Sequence, residues 1–195
     1  MLRLVGPLAL LAAVLVTAVP VAGDAPGPVP GPAGDPPLRI LIIRHAEKPD
    51  DRDDPHLSAR GRARAAALAR VVPERFARPD FVVAARTSAH SNRSVETVTP
   101  LAESLRVPVD DALKDEQSDE LARRLLTDRR YAGKVVLVCW HHGKIPDVAR
   151  ALGAAGVPAK WKDPVFDRVW EVTFRGGKAT LADLPQKALP GDAAD

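Results

Sequence analysis

The sequence contains a single cysteine, Cys139, among 195 residues. One thiol cannot form an intramolecular disulfide, so a disulfide-stapled fold is excluded and a hydrophobic core must hold the domain together. The chain also lacks a large excess of charge of either sign, since 28 basic and 25 acidic residues leave a formal net charge of +3. Its basic residues are scattered among acidic ones, and we therefore expect no nucleic-acid partner. A hydrophobic content of 46% fits one soluble domain with a substantial core.

The first 23 residues form a segment of their own. Arg3 supplies a positive charge, residues 4–19 are predominantly apolar, and residues 21–23 are small enough for signal-peptidase cleavage. This pattern predicts a signal peptide at 1–23 and an exported protein, whether secreted, periplasmic or at the cell surface. The apolar run is just long enough to cross a bilayer if it is not cleaved, so a retained N-terminal membrane anchor is the alternative.

A linker and one domain follow. Residues 24–37 are dominated by Pro, Gly and Ala, a composition that cannot bury apolar surface and predicts an extended linker. Residues 38–195 are predicted to form one α/β domain, a three-layer sandwich. It should have a mostly parallel central sheet, helices on both faces and a C-terminal antiparallel hairpin at one edge. The hairpin is predicted from strands at 167–174 and 178–184 that flank the glycine pair 176–177.

Three apolar runs predict buried strands, which end at Arg44, Ala85 and Trp140. A helix is expected after each of them, over residues 58–72, 91–105 and from 145 onward. Pro73 is expected to end the first helix. Parallel strands joined by helical crossovers have their C-terminal ends at one edge of the sheet, and ligands bind at that edge. The residues that follow the three strands are therefore expected to meet.

Arginine and histidine side chains occupy these three junctions, namely Arg44 with His45, Arg93, and His141 with His142. Guanidinium groups bind the oxygens of a phosphoryl group, and the helix N-terminus at Arg93 favours an anion. A histidine nitrogen can attack phosphorus to form a phosphohistidine that water hydrolyses, while a carboxylic acid protonates the leaving oxygen. Two arginines and two histidines would supply four cationic groups to neutralise the phosphate, so neither a metal nor another cofactor is predicted.

Three motifs in this order resemble those of the histidine phosphatase superfamily, which has the phosphoglycerate-mutase-like fold. They are Arg44-His45-Ala46-Glu47 after a strand, Arg93-Ser94-Val95-Glu96-Thr97 at a helix start, and His142-Gly143-Lys144-Ile145 after a strand. The start of the first helix, Leu57-Ser58-Ala59-Arg60-Gly61, is similar to the family's L-S/T-x-x-G. The resemblance covers residues 38 to 153 and implies a metal-independent phosphatase that hydrolyses phosphate monoesters.

The resemblance also implies a role for each matched residue. His45 would be the phosphorylated nucleophile, and the phosphoryl group would be bound by Arg44, Arg93 and His142. His142 is preferred over His141 as the second catalytic histidine because a glycine follows it directly, as in the family. His141 is then expected to line the pocket. Ala46 departs from the family pattern, in which glycine commonly follows the first histidine.

The resemblance leaves the identity of the proton donor open. The stretch Leu113-Lys114-Asp115-Glu116 is similar to the family's L-x-E, which fits Asp115 by spacing and Glu116 by residue type. Glu47, beside the nucleophile, is a third candidate, and its other interpretation is an orienting hydrogen-bond acceptor.

The predicted substrate is a phosphorylated small molecule or a phosphoprotein, including phosphohistidine. Pyrophosphate-bond hydrolysis is a second enzymatic alternative, and a non-catalytic module that binds a phosphoryl ligand is the alternative from another class. A mutase is disfavoured because few residues remain to build an enclosing cap. The loop at 49–56 holds four aspartates and His56, but its spacing matches no known cation-binding loop, so a solvated loop is expected. Membrane contact is expected only through an uncleaved N-terminal segment.

Overall fold

The computed structural model describes residues 35–51 and 53–193. The predicted signal peptide or anchor at 1–23 and most of the linker lie outside the described residues, so export remains a prediction. Within the described ranges, no helix is both long and apolar enough to span a bilayer. The end of the linker contacts the domain, since the amide of Gly133 donates to the carbonyl oxygen of Pro36 at 3.0 Å.

The described residues form six strands, four α-helices and one 3₁₀ helix. The strands are β1 (Arg39–Arg44), β2 (Phe81–Ala84), β3 (Val109–Asp110), β4 (Val135–Trp140), β5 (Arg168–Arg175) and β6 (Lys178–Pro185). The α-helices are α1 (Ala59–Arg75), α2 (Arg93–Leu105), α3 (Ser118–Thr127) and α4 (Ile145–Ala151), and the 3₁₀ helix is Arg129–Tyr131.

All six strands belong to one sheet, in the order β3-β2-β4-β1-β5-β6. The first four of these strands are mutually parallel, while β5 pairs antiparallel with β1 and β6 antiparallel with β5. The predicted α/β fold, with a mostly parallel sheet and a C-terminal hairpin at one edge, is therefore confirmed. The right-handed βαβ crossovers that such a sheet requires place the residues after β1, β2 and β4 at the same edge.

Helices cover both faces of the sheet because successive side chains of a strand point to opposite faces. In β1, Ile40 and Ile42 belong to the core cluster shared with α3 and α4, whereas Leu41 and Ile43 belong to the cluster shared with α1 and α2. Each aliphatic side chain buried in this way stabilises the fold by roughly 1.5–3 kcal/mol. Cys139 is fully buried in β4, and burial raises the pKa of its thiol to about 12, so it acts as a core residue.

The prediction that Pro73 ends the first helix is wrong. The helix continues to Arg75, with Pro73 inside it. Proline cannot donate to the carbonyl oxygen four residues earlier, but this far along the helix it removes only one hydrogen bond. The next amides still bond to the helix, since Phe76 N donates to Val72 O at 3.1 Å.

Candidate active site

The sheet edge brings most of the predicted site residues together. Arg44 and Trp140 are paired in the β1–β4 register, so the next residues, His45 and His141, leave neighbouring strands side by side. A cavity of about 440 Å³ opens at this edge, and its lining includes His45, Arg93, Lys114, Asp115, Glu116 and His141. Arg44 and His142 do not belong to that lining. They lie beside it, with the His142 ring centroid 6.4 Å from that of His45.

His45 is buried and held as a neutral imidazole. Its Nδ1 lies 2.7 Å from the carbonyl oxygen of Ala46, which can only accept, so Nδ1 carries the proton and Nε2 keeps an unshared electron pair. Burial lowers the pKa of His45 to about 3; the bond to Ala46 opposes this shift, and the charges of Arg44 and Arg93 add to it. Near neutral pH the ring is therefore neutral, with the unshared electron pair of Nε2 available.

The guanidinium of Arg44 is held by the segment 163–166. Its Nη1 donates to the carbonyl oxygens of Asp163 and, at 3.3 Å, of Val165, and its Nη2 lies 3.4 Å from Nδ1 of His142. The ring of Phe166 packs 3.8 Å from the guanidinium carbon, which is a cation–π contact. Burial lowers the pKa of Arg44 to about 10, so the group stays protonated at neutral pH.

Arg93 is held by main-chain carbonyls of two loops. Its Nη1 donates to Asp54 O at 2.7 Å and its Nη2 to His90 O at 3.2 Å. The aspartate-rich loop at 49–56 is thus more than the solvated loop that was predicted, because it fixes one of the two arginines. In the part of the chain that the structure describes, two buried side-chain nitrogens have no hydrogen-bond partner, and they are Nε of Arg44 and Nε of Arg93.

The two consecutive histidines have different surroundings. The ring of His141 stacks on that of His45 at a centroid distance of 6.3 Å and an interplanar angle of 29°. His142 meets His45 edge-on at 76° and touches Arg44 instead. Burial is the main cause that lowers the pKa of His141, and it lowers the pKa of His142 to about 4. Of the groups that were expected to be cationic, the guanidiniums of Arg44 and Arg93 carry positive charge at neutral pH, whereas the lowered pKa values of the imidazoles keep those rings neutral.

Asp115 and Glu116 both line the cavity, but their protonation differs. Burial, together with a hydrogen bond and like charge from Glu116, raises the pKa of Asp115. The pKa of the fully exposed Glu116 is lowered by its own backbone amide and by Asp115. Trp140 Nε1 donates to Asp115 O at 2.9 Å, and Asp115 Oδ2 lies 3.9 Å from Nδ1 of His141. Asp115 is therefore the carboxyl group of this pair that more readily holds a proton.

Glu47 is directed at helix α1. Its carboxylate accepts from Nε and Nη2 of the buried Arg64 at 2.8–3.1 Å and from Nε of Arg60 at 3.1 Å. Arg64 also binds both carboxylate oxygens of Asp192 at 2.8 Å. Burial alone would raise the pKa of Glu47, but the bonds from Arg64 outweigh it and the pKa is lowered. This placement favours the orienting role for Glu47 over that of proton donor.

Hydrogen bonds of the stretch 57–61, which matches L-S-x-x-G, hold the loop after β1 against α1. The amide of Ser58 donates to Glu47 O at 2.9 Å, and the Ser58 hydroxyl accepts from the amide of Gly61 at 3.0 Å. A Cβ atom at Gly61 would lie 2.3 Å from Glu47 O, well inside contact distance. Only glycine permits this approach of helix and loop.

Gly61→Ala is therefore expected to lower the free energy of unfolding by about 1–3 kcal/mol, because the clash must push the loop behind His45 away from α1. Urea unfolding measures this, with Arg70→Ala on the exposed side of the same helix as a control of small effect. An unchanged unfolding midpoint for Gly61→Ala would contradict the close approach.

Sequence reasoning missed several residues that support the site. Thr97 accepts a hydrogen bond from the amide of Ala46 at 2.8 Å and donates to Arg93 O at 2.7 Å, joining the loop that carries His45 to α2. Its position in the motif Arg93-Ser94-Val95-Glu96-Thr97 was the sequence feature that could have identified it. Asp163 and Phe166 lie in a segment with neither strand nor helix, where no periodicity marks a residue as functional.

The doubly covered α/β sheet presents a neutral histidine, the buried Arg44 and the partly buried Arg93 at its C-terminal edge, an arrangement that suits the binding of a phosphoryl group. Residues 40–124 match the family model described as histidine phosphatase superfamily, branch 1. The matched stretch confirms the predicted resemblance to this superfamily, and it supports the predicted enzyme class of histidine-type phosphatase. No curated protein has a sequence that matches this chain significantly.

Solved structures of the superfamily share the fold at low sequence identity. The protein histidine phosphatase SixA complexed with tungstate has 18% identity and a TM-score of 0.55, covering 76% of this chain and 97% of SixA. A putative alpha-ribazole-5′-P phosphatase from Escherichia coli K-12 has 16% identity and a TM-score of 0.55, covering 78% and 99%. Phosphoglycerate mutase from Plasmodium falciparum has 13% identity and a TM-score of 0.51, covering 83% and 99%. These likenesses concern the fold alone.

Proposed function

We propose that the protein is a metal-independent phosphatase that hydrolyses phosphate monoesters through a phosphohistidine at His45. The observation that carries this proposal is the pair of buried guanidinium N–H groups without a partner, on Arg44 and Arg93. Leaving such a donor unpaired costs about 1–3 kcal/mol, so both groups favour an anionic ligand. Both arginines are close enough to lower the pKa of His45 by their charge, and a dianion bound between them would lie beside its Nε2.

In the first step, the unshared pair on His45 Nε2 attacks phosphorus and the bond to the leaving oxygen breaks. The Nδ1–H bond to Ala46 O keeps the attacking tautomer in place and stabilises the positive charge that the ring acquires. The two guanidiniums neutralise the charge on the equatorial oxygens. Asp115, whose pKa is raised, gives its proton to the leaving oxygen.

In the second step, water attacks the phosphohistidine and the N–P bond breaks. The carboxylate of Asp115 takes the proton of the water, which restores the acid for the next cycle, and inorganic phosphate leaves. We assign His141 to the substrate side of the site, because it lines the cavity and stacks on His45. A bound phosphoryl dianion would raise the pKa of the His141 imidazole again and favour a hydrogen bond from it to a phosphoryl oxygen.

Asp115→Asn is expected to lower kcat/KM for an alkyl phosphate by about 10²–10⁴-fold, because the alkoxide leaving group needs the proton. For an aryl phosphate whose leaving group is already a weak base, the loss should be much smaller. Glu116→Gln is the matched control and should change kcat/KM little for either substrate. If Glu116→Gln instead shows the leaving-group-dependent loss, the donor assignment is wrong.

The assignment of Asp115 as general acid also predicts how kcat/KM depends on pH. A general acid acts only in its protonated form, so kcat/KM for the alkyl phosphate should fall as pH rises through the raised pKa of Asp115. This alkaline limb should be absent from the pH profile of Asp115→Asn.

The proposed activity is tested by a substrate panel in EDTA that contains a phosphate monoester, a phosphohistidine peptide and inorganic pyrophosphate. Turnover of the monoester without added metal, lost in His45→Ala, is the expected result. Phosphate binding without turnover of any panel member would favour the non-catalytic binding module. Turnover that requires a metal and survives in His45→Ala would overturn the mechanism and return attention to the aspartate-rich loop.

A further inference from the structure

Three side chains beside the cavity form a row of carboxylate, imidazole and guanidinium. Asp163 Oδ1 lies 3.3 Å from Nε2 of His142, and Nδ1 of His142 lies 3.4 Å from Nη2 of Arg44. The carboxylate also lies 3.7 Å from the same Nη2, which closes the row into a triangle. The side chain of Arg44 is fully buried and that of His142 largely so, whereas the Asp163 side chain is 70% exposed.

The protons in this row can be placed from donor and acceptor chemistry. A guanidinium can only donate, so Nδ1 of His142 accepts from Arg44. The single proton of the neutral imidazole then lies on Nε2, where it faces the carboxylate of Asp163. Both ring nitrogens of His142 are therefore engaged, and neither is free to contact a phosphoryl oxygen in this arrangement.

The segment 163–166, to which Asp163 belongs, also restrains the rest of the Arg44 guanidinium. Nη1 is held by the carbonyl oxygens of Asp163 and Val165, and the ring of Phe166 covers one face at 3.8 Å. With Nη1 and Nη2 thus occupied, Nε–H is the donor of Arg44 that has no partner among the described residues. The group is fixed in its plane with one donor kept for a ligand.

We infer that His142 and Asp163 are positioning residues, which hold Arg44 so that its Nε–H can meet the phosphoryl group. This inference rests on the proposed function for the identity of the ligand. It separates the two adjacent histidines into different tasks: His141 faces the substrate, while His142 orients an arginine and does not touch the substrate. Since a displacement of about 1 Å in a binding group can cost 10²-fold in rate, the restraint on Arg44 has a measurable effect.

The test is a double-mutant cycle between Asp163→Asn and Arg44→Lys, with Asp147→Asn as a matched control on the surface of α4, where Asp147 pairs with Arg150. The readouts are the dissociation constant of inorganic phosphate, measured by calorimetry, and kcat/KM for a phosphate monoester. Thermal unfolding of each variant shows that the fold is retained.

Asp163→Asn is expected to weaken phosphate binding and lower kcat/KM, each by about 10- to 100-fold, and Asp147→Asn to change neither. In the Arg44→Lys background, Asp163→Asn should add little, because residues that act through one another are not additive. His142→Gln should behave like Asp163→Asn in both backgrounds.

Three results would overturn the inference. The first is unchanged phosphate binding in Asp163→Asn, and the second is a full additive loss in the double mutant. The third is tighter phosphate binding in Asp163→Asn, which would mean that the carboxylate competes with the ligand for Arg44. Phosphate binding is measured without turnover, so an inactive wild-type protein would refute the proposed phosphatase while the cycle still decides the role of Asp163.

Discussion

His45→Ala is expected to lower kcat for a phosphate monoester by about 10⁴-fold or more, since removing a covalent nucleophile leaves only binding and charge stabilisation to accelerate the reaction. The variant should fold normally, because an alanine after β1 removes one buried polar side chain and its single bond to Ala46 O. Phosphate binding should persist through Arg44 and Arg93. Steady-state kinetics and calorimetry on the same preparation separate these two effects.

His56→Ala is the matched control for this experiment. His56 is an exposed histidine that pairs with Glu96 of α2, and it does not line the cavity. Its replacement should leave kcat within a few-fold of the wild type. An equal loss in His56→Ala and His45→Ala would mean that the effect comes from general disturbance of the domain and not from a missing nucleophile.

Arg64→Met is expected to have the largest effect on stability, a loss of about 3–5 kcal/mol in the free energy of unfolding. It removes the buried cation of two carboxylates and leaves them only the half-exposed Arg60. The Arg64 and Asp192 side chains are each only 2% exposed and that of Glu47 is 13% exposed. Arg64 also donates to Gln186 Oε1 at 3.1 Å, so one guanidinium joins Glu47, in the loop after β1, to the C-terminal segment.

Urea unfolding of Arg64→Met and Arg70→Met provides a comparison within one helix. Arg70 is 70% exposed and pairs with Glu74 one turn away, so its replacement should cost less than about 1 kcal/mol. Similar losses in the two variants would contradict the structural role given to the Arg64 cluster.

The cluster also predicts how stability depends on pH. Burial would raise the pKa values of Glu47 and Asp192, but Arg64 more than offsets this and both are lowered in the folded protein. Their contribution is fully present above the ordinary carboxyl pKa and is lost as pH falls through the folded-state values. Wild-type stability should therefore decline on acidification more steeply than that of Arg64→Met, in which this contribution is already absent.

The fold was predictable because its strongest signals are local. The runs that became β1 and β4 are apolar throughout, and the glycine pair 176–177 between alternating strands indicates a hairpin without reference to the rest of the chain. The meeting of His45, Arg93 and His141 followed from one rule, that parallel strands present their C-terminal ends at a common edge. Arg44 also lies at this edge, but the segment that holds it, residues 163–166, shows no sequence pattern that indicates the contact.

The parts of the site that could not be predicted depend on contacts between distant residues. Arg64 resembles its neighbours in an Ala- and Arg-rich helix, and only the folded chain places Asp192 against it. Asp163 lies in a segment without periodicity, so its contact with Arg44 leaves no pattern in the sequence. The choice between Asp115 and Glu116 depends on burial, which adjacent residues of a loop do not reveal by their order.

The central claim, that the phosphoryl group passes through a nitrogen of His45, is tested most directly by trapping the intermediate. The enzyme is mixed with excess aryl phosphate, quenched in alkali during turnover, and analysed by peptide mass spectrometry and by ³¹P NMR of the denatured chain. We expect one phosphoryl group per chain on Nε2 of His45, stable in alkali, lost on acid treatment and absent from His45→Ala. A phosphoryl group on any other residue, or none during a burst of released phenol equal to the enzyme concentration, would contradict the mechanism.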